Sequence, residues 1–179
     1  MLTIITPCCR PENLSKLYDS IHFDKVHKWI IVYDTSKDRS YEKLYEGNPK
    51  IQELECNTGI SGNPQRNLAL SLIDDGFIYF LDDDNIIHPH FWNIYDSFKP
   101  ENFYTFDQKR ENTILFGNRI QLNLIDTAMF IVHKSHVNNL RWEQDKYNAD
   151  GIFIVEVYNK NKNLHVYINT IASYYNYLR

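Results

Sequence analysis

The sequence predicts an α/β domain, with a mostly parallel central sheet and helices on both faces, spanning all of residues 1–179 as one unit. Three observations lead there. Short apolar runs rich in Ile, Val, Tyr and Phe alternate with segments of helical spacing through the first half of the chain. With 43% hydrophobic residues, 10 Phe and 13 Tyr, the composition supports a substantial core. No repeat, low-complexity stretch or linker divides it. Alternation at this spacing builds βαβ units, and right-handed crossovers place the loops after successive strands along one edge.

The elements follow in order. Residues 2–6 (Leu-Thr-Ile-Ile-Thr) read as a strand closed by Pro7, and residues 12–23 as a helix with Leu14, Leu17, Tyr18 and Ile21 at helical spacing. A second strand covers 28–33 and ends in Asp34-Thr-Ser. A weak helix over 39–45 and a strand over 51–56 come next. The clearest loop is Asn57-Thr-Gly-Ile-Ser-Gly-Asn-Pro64, followed by a helix over 65–72 and a strand over 77–81. The second half is less regular. It predicts helices over 91–98, 133–140 and 150–159, with residues 100–110 as a connection. Short strands are expected over 113–116, 119–122, 126–132 and 164–168.

Composition excludes several function classes. A net charge of −4 with scattered Lys and Arg argues against nucleic-acid binding. The three cysteines, two of them vicinal at Cys8 and Cys9, make a poor disulfide framework and offer no zinc spacing. A reducing, cytoplasmic setting is expected. No stretch reaches the length of a membrane-spanning helix, and the N-terminus begins directly in strand-like sequence.

The chemistry is concentrated in Phe77-Ile-Tyr-Phe-Leu-Asp82-Asp83-Asp84-Asn85. Three adjacent carboxylates at the end of an apolar strand repel unless a positive charge sits among them. Acidic residues after a strand also cap helices, and a helix start near Pro89 would use one, but not three. Mg²⁺ or Mn²⁺ suits such hard oxygen ligands, sharing its remaining positions with water and a substrate diphosphate. Arg10, Asp34, the 59–66 loop and the aspartates all follow strands, so they should converge on the cleft at the carboxyl edge of the sheet.

The paired features Gly62-Asn-Pro-Gln65-Arg66-Asn67-Leu-Ala-Leu70 and Asp82-Asp83-Asp84-Asn85, in this order of elements, resemble the GT-A-fold nucleotide-sugar glycosyltransferases of the large family 2 type. The same motifs are similar to those of glucuronyltransferases of animal glycosaminoglycan synthesis. The resemblance implies a metal-dependent transfer from a nucleoside-diphosphate sugar, a UDP-sugar above others, to a glycan or other hydroxyl acceptor, with inversion by direct displacement. Thr6, Pro7 and Arg10 would wall the nucleotide pocket, and Asp34 would accept the N3 hydrogen of uracil. Gln65, Arg66 and Asn67 would reach ribose and diphosphate. Asp82 and Asp84 would be the two acidic residues of a DxD motif, on ribose and metal, with Asp83 in support. Asp126 would touch donor or acceptor sugar. Asp150 would be the general base, ahead of Glu143, Asp145 and Glu156; locally, it could equally cap its helix. His165 is a loose candidate for a late metal ligand.

Two enzyme alternatives fit less well. A dehalogenase-type phosphatase wants Thr or Val where Asn85 stands, and a sugar nucleotidyltransferase wants a Gly-rich loop where Pro7-Cys-Cys-Arg10 stands. The non-enzyme alternative is a GT-A-like domain that binds a nucleotide sugar or glycan without turnover. Whether Asp150 faces the cleft separates the two.

Overall fold

The computed structural model describes residues 1–36, 40–58, 61–143 and 145–179. Its strands are β1 (Leu2–Cys8), β2 (Lys28–Asp34), β3 (Ile51–Cys56), β4 (Phe77–Phe80), β5 (Ile86–Ile87), β6 (Phe103–Arg110), β7 (Thr113–Leu115), β8 (Phe130–His133) and β9 (His165–Tyr174). The helices are α1 (Leu14–Ser20), α2 (Asn63–Ser71), α3 (Pro89–Tyr95) and α4 (Ala149–Lys160). The sheet runs β3-β2-β1-β4-β8-β6-β9-β5, with β7 hairpinned onto β6.

β1 pairs parallel with both β2 and β4, β2 with β3, and β6 with β9. β8 lies antiparallel between β4 and β6, so β6 and β9 run the same way as β1. The main strands therefore end on one edge, where Cys8, Asp34, Arg110 and Tyr174 lie. Two-residue periodicity divides the core. Trp29, Ile31, Tyr33, Phe77, Tyr79 and Leu81 face α1 and α3, while Ile30, Val32, Ile78 and Phe80 face α2 and α4. Trp29, Tyr79 and Phe80 are fully buried, each worth about 1.5–3 kcal/mol on transfer from water.

Several sequence expectations fail for identifiable reasons. Residues 100–110 are no mere connection: β6 is a central strand whose first six residues are buried. Its buried polar side chains are met by distant partners. Thr105 bonds His165 at 2.8 Å, and Asp107 accepts from the Tyr167 hydroxyl at 2.9 Å and from the Gly117 amide at 3.0 Å. Of the helix expected over 39–45, Arg39 lies outside the described residues and the remainder is irregular. There the Leu44 and Tyr45 amides donate to the Glu53 carboxylate at 2.8 and 3.0 Å, and Tyr45 stacks on Tyr18.

Residues 119–122 are irregular and pair with no strand; β7 takes β6 as its partner instead. The strand expected over 126–132 begins only at Phe130, since Asp126 caps a 3-10 turn over Thr127–Met129. The helix expected over 133–140 is a single 3-10 turn, Lys134–His136, capped by His133. The late strand extends well past 168, to Tyr174.

Candidate functional site

The carboxyl edge of the sheet opens into a cavity of about 530 Å³. The ends of β1, β2 and β6, the turn entering α2, the loop after β4, the first turn of α4 and the segment after β9 all contribute to its wall. Of the residues expected at the site, Pro7, Arg10, Asp34, Gln65, Arg66, Asp82, Asp83, Asp84, Asp126 and Asp150 line it. Gly59 and Ile60 of the predicted loop lie outside the described residues.

Thr6 and Asn67 do not line it. Thr6 points to the core face of β1, where its hydroxyl accepts from Trp29 Nε1 at 2.9 Å. Asn67 is spent on structure: its amide donates to the Trp142 carbonyl and accepts from the Trp142 amide, both at 2.8 Å. Its place in the QRN run therefore ties α2 to the 142 segment. His165 starts β9, at the end of the sheet away from the cavity, and bonds Thr105.

The three aspartates diverge. Asp83 is a buried clamp. Its Oδ2 accepts from the backbone amides of Cys9 at 2.6 Å and Arg10 at 2.8 Å, and its Oδ1 accepts from the Arg10 guanidinium. Asp82 takes the Arg66 guanidinium on one oxygen and the Thr127 hydroxyl, at 3.0 Å, on the other. Asp84 is buried and pairs through Oδ2 with Arg10 at 3.0 Å and Arg179 at 2.7 Å. Burial, then the neighbouring Asp82, still push its carboxyl above the ordinary range, against the lowering effect of Arg10 and Arg179. Among the described residues, no three His, Cys, Asp or Glu side chains form a metal cage. The donor set fits instead a cation held by one or two carboxylates and completed by substrate oxygens.

Arg66 is the hub of the opposite wall. Beyond Asp82, it donates to Ser61 O at 2.7 Å and Asn63 Oδ1 at 3.0 Å, and its guanidinium stacks 4.6 Å from the Trp142 ring. Gly62 makes this approach possible. It sits at φ +74°, and a Cβ there would come 2.7 Å from Pro7 Cβ. Gln65 Oε1 and Arg66 Nε are buried with no hydrogen-bond partner among the described residues. Two orphaned polar atoms on one cavity wall are costly unless a ligand meets them.

Asp150 lies in the first turn of α4 but does not cap it; the N-cap is Asn148. Burial, then Asp82, raises its carboxyl pKa, while nearby backbone amides and Arg66 lower it, leaving it above the ordinary value. The runners-up fall elsewhere. Glu143 and Asp145 do not line the cavity, and Glu156 pairs with Lys160 on the exposed face of α4.

Asp126 completes the acidic wall. It accepts from Ala128 N and Gln108 Nε2, both at 3.3 Å, and burial, Asp82 and Asp150 push its pKa up to about 7. Because this folded-state value lies above the ordinary 3.8, the folded chain holds the proton more tightly than the unfolded one. Its contribution to stability is therefore full at low pH and lost as pH rises toward 7. Thermal melts should show a midpoint falling between about pH 4 and pH 7, and Asp126→Asn should flatten that slope. An unchanged slope in the variant would place the titration elsewhere.

Sequence reasoning missed the far wall, made by Arg110, Leu115, Leu124, Tyr147, Tyr175 and Arg179. Tyr147 and Asn148 stand next to Asp150 in sequence and could have been found by proximity. Arg110 and Tyr175 meet only through the β6–β9 pairing.

The chain shares its fold with S. aureus TarS. The crystal structure of TarS 1-349 aligns with a TM-score of 0.74 at 16% identity, covering 97% of this chain and 59% of that one. The same TarS segment in complex with UDP-GlcNAc gives 0.76 at 16% identity, covering 97% and 58%, and its UDP complex gives 0.73 at 17% identity, covering 97% and 60%. This chain thus spans somewhat under two thirds of the TarS structures it matches. No protein-family model and no curated protein matches the sequence. Among the described residues, no helix is long and apolar enough to cross a membrane.

Proposed function

We propose that the cavity binds a nucleoside-diphosphate sugar, a UDP-sugar in first place, and transfers its sugar to a hydroxyl of a glycan or other acceptor with inversion. The observation that carries this reading is Asp150, a partly buried carboxylate in the first turn of α4 that lines the same cavity as Arg66 and the aspartate loop. The shared fold supports it, since TarS holds UDP-GlcNAc and UDP.

Asp34 and Pro7 would face the nucleobase, and Gln65 Oε1 would accept from a ligand hydroxyl or ring N–H. Arg66 would neutralise charge on the leaving diphosphate, a preorganised electrostatic contribution from a buried guanidinium. A divalent cation held by Asp84 and Asp82 would supply further neutralisation of the same diphosphate. Asp150 would take the proton of the acceptor hydroxyl as its oxygen bonds to the anomeric carbon. The bond from that carbon to the diphosphate oxygen breaks, and the electron pair leaves on UDP. A base whose pKa is raised above the ordinary carboxylate value suits this step.

The test follows UDP release and anomeric configuration by NMR, with UDP-GlcNAc as donor, Mn²⁺ and a mixture of simple glycan acceptors. Transfer with inversion, stopped by a chelator and restored by Mn²⁺, supports the reading. A donor that binds and is never cleaved would leave a binding module instead.

A further inference from the structure

We propose that Arg110, seated over the Tyr175 ring, is an anion-recognition group, and that the sugar portion of the substrates carries a carboxylate or phosphate. This deepens the nucleotide-sugar reading of the same cavity and rests on it.

Four arginines line the cavity, and three of them are spent on its aspartates. Arg10 pairs with Asp83 and Asp84, Arg66 with Asp82, and Arg179 with Asp84. Arg110 makes no ion pair among the described residues, although the chain carries an excess of carboxylates. Its position is built with care. Arg110 ends β6, and its carbonyl accepts from the Thr113 hydroxyl at 3.1 Å. The Tyr175 amide donates to the Lys109 carbonyl at 2.8 Å, which pins the ring beside it. The guanidinium carbon then sits 4.7 Å from the ring centroid.

The ring lies against the guanidinium, and among the described residues no ion pair engages its N–H edges. Those edges match the paired oxygens of a carboxylate or phosphate. A side chain already ordered by stacking loses less entropy when it binds. Asp34 ends β2, the aspartate loop follows β4 and Arg110 ends β6. Across the sheet, Arg110 therefore lies beyond the aspartate loop from the nucleobase end, and an anion there belongs to the sugar side, on either the transferred sugar or the acceptor.

Calorimetry on the full chain tests this, with wild type and Arg110→Gln compared. Glucose 6-phosphate, glucuronate and neutral glucose are titrated into the UDP-saturated protein. UDP-glucuronate and UDP-glucose are titrated into the free protein. We expect one anionic ligand to bind at least tenfold more tightly than its neutral counterpart, with that preference lost in Arg110→Gln. Preference for glucose 6-phosphate or glucuronate puts the anion on the acceptor; preference for UDP-glucuronate puts it on the transferred sugar. UDP itself should bind both proteins equally, and Tyr175→Phe should keep the preference that Tyr175→Ala loses.

Three outcomes overturn the inference. They are the absence of any anionic preference, a preference that survives Arg110→Gln, and a tenfold loss of UDP affinity in that variant, which would make Arg110 a diphosphate clamp. All three leave the nucleotide reading intact. Failure of wild type to bind UDP would defeat that reading, and this inference with it.

Discussion

Asp150→Asn is expected to lower the rate of sugar transfer by about 10²–10⁴-fold, the usual contribution of a positioned general base, while UDP affinity stays the same. Asn keeps the shape, and its amide oxygen can still accept from the Gly151 backbone amide at the start of α4. What it removes is the proton acceptor. Since burial and Asp82 raise the Asp150 carboxyl, the wild-type rate should climb with pH through a value above the ordinary carboxylate range. The variant should lose that limb. Steady-state rates across pH, with calorimetric UDP titration alongside, check both halves. A rate within threefold of wild type would remove Asp150 from the chemistry.

Arg10→Met should be among the most destabilising single changes at the site. Asp83 is 2% exposed, and its charge is balanced by the Arg10 guanidinium and two backbone amides. Removing one partner of a buried pair costs roughly 3–5 kcal/mol, because the remaining carboxylate stays desolvated. For a domain of this size, that corresponds to a fall in melting temperature of roughly 6–20 °C. The double variant Arg10→Met/Asp83→Asn should recover part of the loss, since a neutral amide oxygen still accepts from the Cys9 and Arg10 amides without the buried charge. A single variant that melts with wild type would show that the amides of Cys9 and Arg10 alone satisfy Asp83.

The architecture was legible wherever one local rule decided the structure. β1, β2 and β4 are apolar runs buried on both faces, and α2 and α4 carry clear helical spacing. β6 was missed because Thr105, Asp107 and Gln108 give it the polarity of a loop. Their burial depends on His165, Tyr167 and Asp126, far away in sequence. The 3-10 turns at Thr127–Met129 and Lys134–His136 replace regular elements because Asp126 and His133 cap them locally.

The site was half legible for the same reason. Asp34, Arg66, Asp82, Asp84 and Asp150 follow strand ends or open helices, so topology alone brings them to the cavity. Thr6 and Asn67 sit in the same motifs, but side-chain direction takes them to Trp29 and Trp142. Nothing local distinguishes Asp83 from its neighbours, yet it braces the loop that presents them. Arg110 and Arg179 enter only through sheet pairing and the chain's final turn.

The most direct measurement is calorimetric titration of UDP, GDP and dTDP, with and without Mn²⁺, into wild type and Asp84→Ala. The account predicts that UDP binds most tightly, that Mn²⁺ strengthens its binding, and that Asp84→Ala abolishes the metal's effect. If none of the three nucleotides binds with Mn²⁺ present, the cavity serves another ligand and the glycosyltransferase reading is wrong.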